Sequence, residues 1–210
     1  MMKIVVVGAG GHARSVCEVI IAQGRYEIIG LVDPGAQEGF FDIPLLGNDS
    51  LLGSLYREGR AEGVFVALGS NSVRKKLMRV AAGIGYTCIT AISPHAVVSR
   101  FCSIGVGSVV MPGAVINAGT TIGEGCILNT NSSVDHDCTI GDYCHIAPGA
   151  TLCGCVTVGE GTFVGAGARI IDRIQLGSHI MLGAGAVAIR NLPPSCTAVG
   201  VPARIIKQGE

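Results

Sequence analysis

Tryptophan is absent from this chain, and aromatic residues make up only 4% of it. That argues against aromatic platforms for sugar rings or stacked bases. Charge is also scarce. Charged residues are 14% of the total, and 15 Lys+Arg balance 15 Asp+Glu. No basic field remains to attract nucleic acid or an anionic membrane. No 18-residue apolar run could cross a bilayer, and only Lys3 charges the start before a short apolar segment. Neither a membrane span nor a secretory leader is expected, and the chain reads as soluble and cytoplasmic. The nine cysteines include no CxxC pair, so disulfides are not expected. Cys153-Gly154-Cys155 with nearby histidines matches no usual zinc spacing, and no metal is predicted.

What the chain has is a strict repeat. An aliphatic residue recurs at every sixth position from Val98 to Leu182, fifteen times without a miss. Neither a helix, with period 3.6, nor a plain strand, with period 2, produces that pattern. It predicts stacked coils sharing one core, a hexapeptide parallel β-helix with three hexads to a coil. Glycine, at 32 residues, often follows the aliphatic, as at Gly105, Gly123, Gly141, Gly159, Gly165, Gly177 and Gly183. These glycines are expected to serve corner conformations that other residues resist. Cys102, Cys126, Cys138 and Cys144 lie two residues before the aliphatic, where Ser, Thr and Ala also occur, and read as small packing residues. No hexad carries an insertion, so any site must lie on the flanks or between molecules.

The residue before each aliphatic points outward. Two of the three resulting columns are polar or mixed. The third, Val109, Ile127, His145, Phe163 and Met181, is apolar and predicts a face packed against another copy in a closed three-fold ring.

Residues 1–90 alternate strand and helix, which predicts a parallel Rossmann-like sheet, followed by the repeat domain over 91–210. Strands are expected at Lys3–Val7, Glu27–Val32, Val64–Leu68 and Tyr86–Ile89. Helices are expected at His12–Gln23, Ser50–Glu58 and Asn71–Ile84, the last capped by Asn71. Gly8-x-Gly10-x-x-Ala13 after a strand, with Asp33 about twenty residues on, fits a dinucleotide fingerprint. A single mononucleotide half makes nucleotide-sugar binding the better fit.

Two histidines of the repeat stand out. His145 sits in the apolar column. His136 lies in Asp135-His136-Asp137 with Ala118 and Gly154 stacked above and below it, which leaves room around the ring. Imidazole suits proton removal near neutral pH, and a flanking carboxylate can fix its tautomer. Asp137 reaches the ring only if the two residues share a corner.

The repeat together with Gly8-Ala9-Gly10-Gly11-His12, Asn129-Thr130, Val134-Asp135-His136-Asp137-Cys138, His145-Ile146-Ala147-Pro148-Gly149-Ala150 and the tail Val199-Gly200-Val201-Pro202-Ala203-Arg204 resembles bacterial sugar acyltransferases of the NeuD/PglD type. The resemblance covers nearly the whole chain. It implies a left-handed β-helix, a homotrimer and acetyl-CoA as co-substrate. It implies His136 as general base, supported by Asp137. It also implies His145 near the thioester, Ala166 and Ala184 along the pantetheine groove, and Arg204 near the nucleotide end of CoA. Gly10, Gly11 and His12 correspond to positions that contact nucleotide phosphates, and Asp33 and Gly69 to positions that contact base and ribose. The expected reaction is direct acetyl transfer to the amine of a nucleotide-linked amino-sugar. Sialic acid O-acetylation is the alternative, and a nucleotide-sensing scaffold the non-enzyme one. A lyase like the γ-class carbonic anhydrases needs three converging imidazoles that this spacing does not offer.

Overall fold

The structure is a computed structural model and describes residues 1–209. It divides into two compact units, Met1–Pro94 and the chain from His95 onward.

In the first unit, β1 (Met2–Val7), β2 (Tyr26–Val32), β3 (Leu45–Gly47), β4 (Gly63–Val66) and β5 (Thr87–Cys88) form one parallel sheet in the order β3-β2-β1-β4-β5. The core is aliphatic: Ile4, Val5, Val6, Leu31, Val64 and Ile20 are fully buried. Helices α1 (Gly11–Gln23), α2 (Leu52–Arg57) and α3 (Asn71–Ile84) connect the strands. The strand order reverses between β1 and β4, which opens a crevice at their carboxyl ends. Strand β3 directly follows Pro44, in a stretch whose sequence shows no strand pattern. It is a short edge strand that gains order by pairing with β2. Asn71 is not the cap of α3. Ser70 is, with no side-chain capping bond, and the Asn71 side chain instead accepts from Arg74 Nη2 at 2.8 Å.

The second unit is a three-sided coil of two-residue strands. The first face stacks Val97–Val98, Val115–Ile116, Ser133–Val134, Thr151–Leu152, Arg169–Ile170 and Val187–Ala188. The second stacks Ser103–Ile104 through Gln175–Leu176, and the third includes Val109–Val110 through Met181–Leu182, Cys196–Val199 and the antiparallel tail strand Arg204–Gln208. Through the hexads the pairing is parallel at 18 residues, as between Ser133 and Thr151, so three hexads make one turn, and the offset shortens to 16 where Met181 pairs with Thr197.

The corners correct one expectation. The glycines after the aliphatics do not adopt left-handed conformations. They are required because the coils stack so closely. A Cβ on Gly105 would lie 2.5 Å from the carbonyl carbon of Gly123, and one on Gly159 would lie 2.5 Å from Ser178 N. The left-handed position is two residues later, at Gly113 and Gly167 but also at Asn131, Asp137, Cys155 and Arg173.

The small inward position is more than packing space. At Ser108, Thr120 and Thr162 the hydroxyl ties two coils together. Thr120 Oγ1 donates to the Asp135 carbonyl at 2.7 Å and accepts from Cys138 N at 3.2 Å. Where it is Cys, the thiol donates to the equivalent carbonyl, as Cys138 Sγ does to Cys153 O at 3.2 Å. Burial pushes the Cys138 thiol up, which suits an inert inward group.

The apolar column also needs correction. Val109, Ile127 and His145 are already buried within the single chain, and only Phe163, half-buried, and Met181, exposed, remain accessible. The repeat fixes which way a side chain points but not what the rest of the chain lays over it.

Candidate active site

Each unit presents one group of candidate residues. In the first, the turn after β1 is shaped by Gly8, whose φ of +111° and whose approach to Ala67 O exclude a side chain: a Cβ there would sit 2.9 Å from that oxygen. Gly10 and Gly11 open onto free space, with nothing within 4 Å of a Cβ built on either. Gly10 is the N-cap of α1, and no side chain caps it. Gly69 is exposed at the end of β4. Asp33, just beyond β2, accepts from Ala9 N at 2.8 Å and from Gly35 N at 2.7 Å. Its carboxylate is therefore first a clamp on the glycine turn. His12 is held down to about 4 by burial and by the Arg74 guanidinium, so it is neutral at pH 7. Arg74 itself is 1% exposed and donates to the carbonyls of Leu68 and Gly69 at 2.9 and 3.3 Å. This buried cation fixes the turn from β4 into α3. In the sequence it was one basic residue on a helix, with no signal that it points inward.

In the second unit, His136 and Asp137 occupy the corner between the first and second faces. Both are exposed, 57% and 64% by side chain. Asp137 adopts φ +58°, and this left-handed turn swings its carboxylate back beside the preceding ring. Asp137 Oδ2 accepts from His136 Nδ1 at 2.8 Å. The proton on Nδ1 leaves the Nε2 lone pair facing solvent. The hydrogen bond that His136 donates to Asp137, then the charge of Asp135, hold the His136 pKa above the usual histidine value. Asp135 is itself fixed. Its Oδ1 accepts from Asn117 Nδ2 and from His136 N, both at 2.8 Å. Asn117 stands one coil before Asp135, a relation visible only once the 18-residue period is known.

The ring lies flat over a missing side chain. A Cβ on Gly154 would fall 2.7 Å from both Cε1 and Nε2 of His136. Likewise a Cβ on Gly119 would strike Asp137 Oδ1. The pair is thus sandwiched between two glycines of neighbouring coils. A cavity of about 330 Å³ opens here, lined by Asp135, His136, Gly154, Cys155, Asp172 and Arg173 among others.

His145 belongs elsewhere. It lies on the third face, 9% exposed, with its ring edge-on to Phe163 at 5.0 Å. Asn129 Nδ2 donates to His145 Nε2 at 3.0 Å. Asn129, Ala166 and Ala184 mark the corner between the third and first faces, and both alanines are exposed. A Cβ added at Gly167 or Gly185 would meet nothing within 4 Å. This edge is bare and built of small residues. It lies one full face away from His136, so a single chain does not bring the two histidines together. Arg204 begins the exposed tail strand.

Comparison with known proteins agrees with this division. Residues 3–81 match the PglD N-terminal domain, and residues 119–154 match the bacterial transferase hexapeptide (six repeats). Over 118 residues the chain is 39% identical to UDP-N-acetylbacillosamine N-acetyltransferase from Bacillus subtilis, a stretch that is 53% of this chain and 52% of that relative. The match thus spans about half the length of that relative. Two solved structures match along nearly all of their length. One is the acetyltransferase domain of PglB from Neisseria gonorrhoeae in complex with acetyl coenzyme A, 39% identical with TM-score 0.92, covering 97% of this chain and 98% of that one. The other is perosamine N-acetyltransferase from Caulobacter crescentus, solved with CoA and GDP-perosamine as a histidine-to-asparagine mutant, 41% identical with TM-score 0.94, covering 100% and 98%. A prism of hexapeptide repeats, here a left-handed β-helix, follows an α/β unit in this chain along the length of such relatives, and the chain belongs to the PglD-type hexapeptide-repeat sugar N-acetyltransferases.

Proposed function

We propose that this protein works in the cytoplasm and transfers the acetyl group of acetyl-CoA to the amino group of a nucleotide-linked amino-sugar, with His136 as general base. The observation that carries this reading is the His136–Asp137 pair. Asp137 accepts the Nδ1–H hydrogen bond at 2.8 Å, so Nε2 faces the cavity as an acceptor. As the amine attacks the thioester carbonyl, His136 Nε2 removes its proton, the C–S bond breaks, and CoA leaves as the thiolate, which is then protonated by the imidazolium or by solvent. Asp137 stabilises the imidazolium that forms. Cys138 is buried and its thiol is pushed up, which argues against a covalent acyl-enzyme.

Binding divides between the units in the same reading. The main-chain amides at the start of α1, with Gly10, Gly11 and His12, receive the pyrophosphate. Asp33 and Gly69 border the nucleoside. Acetyl-CoA lies along the small-residue edge of Ala166 and Ala184, with His145 at its thioester end and Arg204 toward its nucleotide end. That edge and His136 are separated by a face of the same prism, so the reading requires a second copy and favours a closed homotrimer. Phe163 and Met181 are the accessible apolar residues for that contact. Two structures of the Caulobacter relative carry asparagine or alanine in place of one histidine, which supports attention to a histidine base.

The test is turnover of His136→Ala with acetyl-CoA and a panel of UDP-, GDP- and dTDP-linked amino-sugars. Turnover should fall by about 10²-fold or more with the oligomer intact. Unchanged turnover removes His136 from the role.

A further inference from the structure

One group at the His136 corner takes no part in the reaction derived above. Cys155 follows Asp137 by one coil and occupies the same left-handed corner position, with φ of +59° against +58°. Its amide donates to the His136 carbonyl at 2.9 Å, so the two corners are stacked tightly. The conformation turns its side chain out of the prism, where the inward cysteines of the repeat do not reach. Cys126, Cys138 and Cys144 are buried, whereas Cys155 is exposed in the cavity that holds the imidazole. A ring nitrogen of His136, a carboxylate oxygen of Asp137 and the sulfur of Cys155 all lie within 4.8 Å of one another. Among the described residues, no other three such groups converge in this way.

We propose that His136, Asp137 and Cys155 form a three-ligand site for a thiophilic divalent cation of the zinc class, with water as the fourth ligand. One nitrogen, one oxygen and one sulfur donor is a borderline-soft set. It favours zinc or cobalt over magnesium or calcium, which take oxygen. Donors about 2.0–2.3 Å from a tetrahedral ion stand roughly 3.3–3.8 Å from each other, so the present spread needs only side-chain rotation. All three side chains are exposed. Gly154, next to Cys155 in the chain, has no side chain to hold the ring away from the thiol. Asp135 and Asp172 at the same cavity add negative charge, and Arg173 opposes them from the following coil. On binding, the Cys155 thiol releases its proton to solvent, and the imidazole ligates in its neutral form, an imidazolium first giving up its extra proton.

The site is not a cofactor site for the transfer. It competes with it. A metal on either ring nitrogen removes the lone pair or the tautomer that the base needs, so cation and proton transfer exclude each other. This consequence rests on the reading of His136 as base, and the test separates the two. Reduced full-length protein is titrated with Co²⁺ alone and followed by absorption. The wild type should develop a thiolate-to-cobalt charge-transfer band that is lost in Cys155→Ser and kept in Cys153→Ser. Zinc should inhibit acetyl transfer, read on the acetylated sugar by mass because the CoA thiol itself binds zinc, and a chelator should restore it. The zinc midpoint should rise by at least about tenfold in Cys155→Ser, relative to that variant's own metal-free rate. Absence of the band, or a band that survives Cys155→Ser, overturns the site whatever the fate of His136→Ala turnover. A Cys155-dependent band with no zinc inhibition leaves the site standing and overturns the base.

Discussion

The two units make their candidate sites from opposite materials. In Met1–Pro94 the exposed candidate groups are main-chain, set by Gly8, Gly10 and Gly11, and side chains such as Asp33 and Arg74 act from behind to hold the turn. In the coil the main chain is a repeating support, and the candidate site is made by side chains at one corner, His136 and Asp137. The lesson is that glycine means different things in the two places. Gly8 is needed for its own backbone angle. Gly154 has an ordinary backbone and is needed for the space it cedes to His136.

The largest expected effect that would break this comparison is in the first unit and depends on pH. His12 sits near 4 in the folded protein against 6.5 for the free side chain, so the unfolded chain binds the extra proton between those values. Its contribution is complete above pH 6.5 and is lost as pH falls toward 4, about 3 kcal/mol in all. Denaturant titrations at pH 7 and pH 4 should differ by that much more in the wild type than in His12→Gln. Equal pH slopes in the two proteins would mean that His12 is not held neutral by burial.

A somewhat smaller effect sharpens the contrast between glycines. Gly154→Ala should lower turnover by about 10- to 100-fold, because the new methyl displaces the imidazole, while leaving thermal stability nearly unchanged. Gly10→Ala, where the structure leaves space, should fold normally and raise KM for the nucleotide-sugar with turnover kept. A turnover loss at Gly10 equal to that at Gly154 would erase the distinction between a binding turn and a catalytic corner.

The smallest effect is a displacement of a pH profile. Asp137 and Asp135 hold His136 above its usual 6.5, and the base acts unprotonated. The acid limb of kcat/KM should therefore lie above that value in the wild type and move to lower pH in Asp137→Asn, because the imidazolium loses its partner. Asp135, Asp137, Asp172, Cys153, Cys155 and Arg173 are the ionisable groups around the ring among the described residues. A limb that stays in place would show that another of them titrates.

Much of this was legible because the repeat is strict. The hexads fixed three faces, the stacking of Gly154 against His136 and the inward direction of Cys138. The condition that Asp137 reaches the ring only at a corner is the one the fold meets. What stayed hidden depends on contacts that a period does not carry. Arg74 is buried by the packing of α3, and the clamp of Asp33 on Ala9 spans 24 residues. The apolar column looked uniformly bare, yet Val109 and Ile127 are covered within the chain. Asn117, Thr120 and Cys155 became visible only through their neighbours one coil away. Reading the 18-residue columns at the polar corners as well as at the aliphatics would have found them.

The most direct test of the account is complementation between copies. Chains carrying His136→Ala are co-refolded with chains whose small-residue edge is blocked by Ala166→Trp. If the base of one copy serves the edge of another, about a quarter of the contacts in randomly mixed trimers are intact, and activity should reappear although each variant alone is inactive. If the mixture stays as inactive as its parents while both variants assemble, the site is not built between copies, and the account fails.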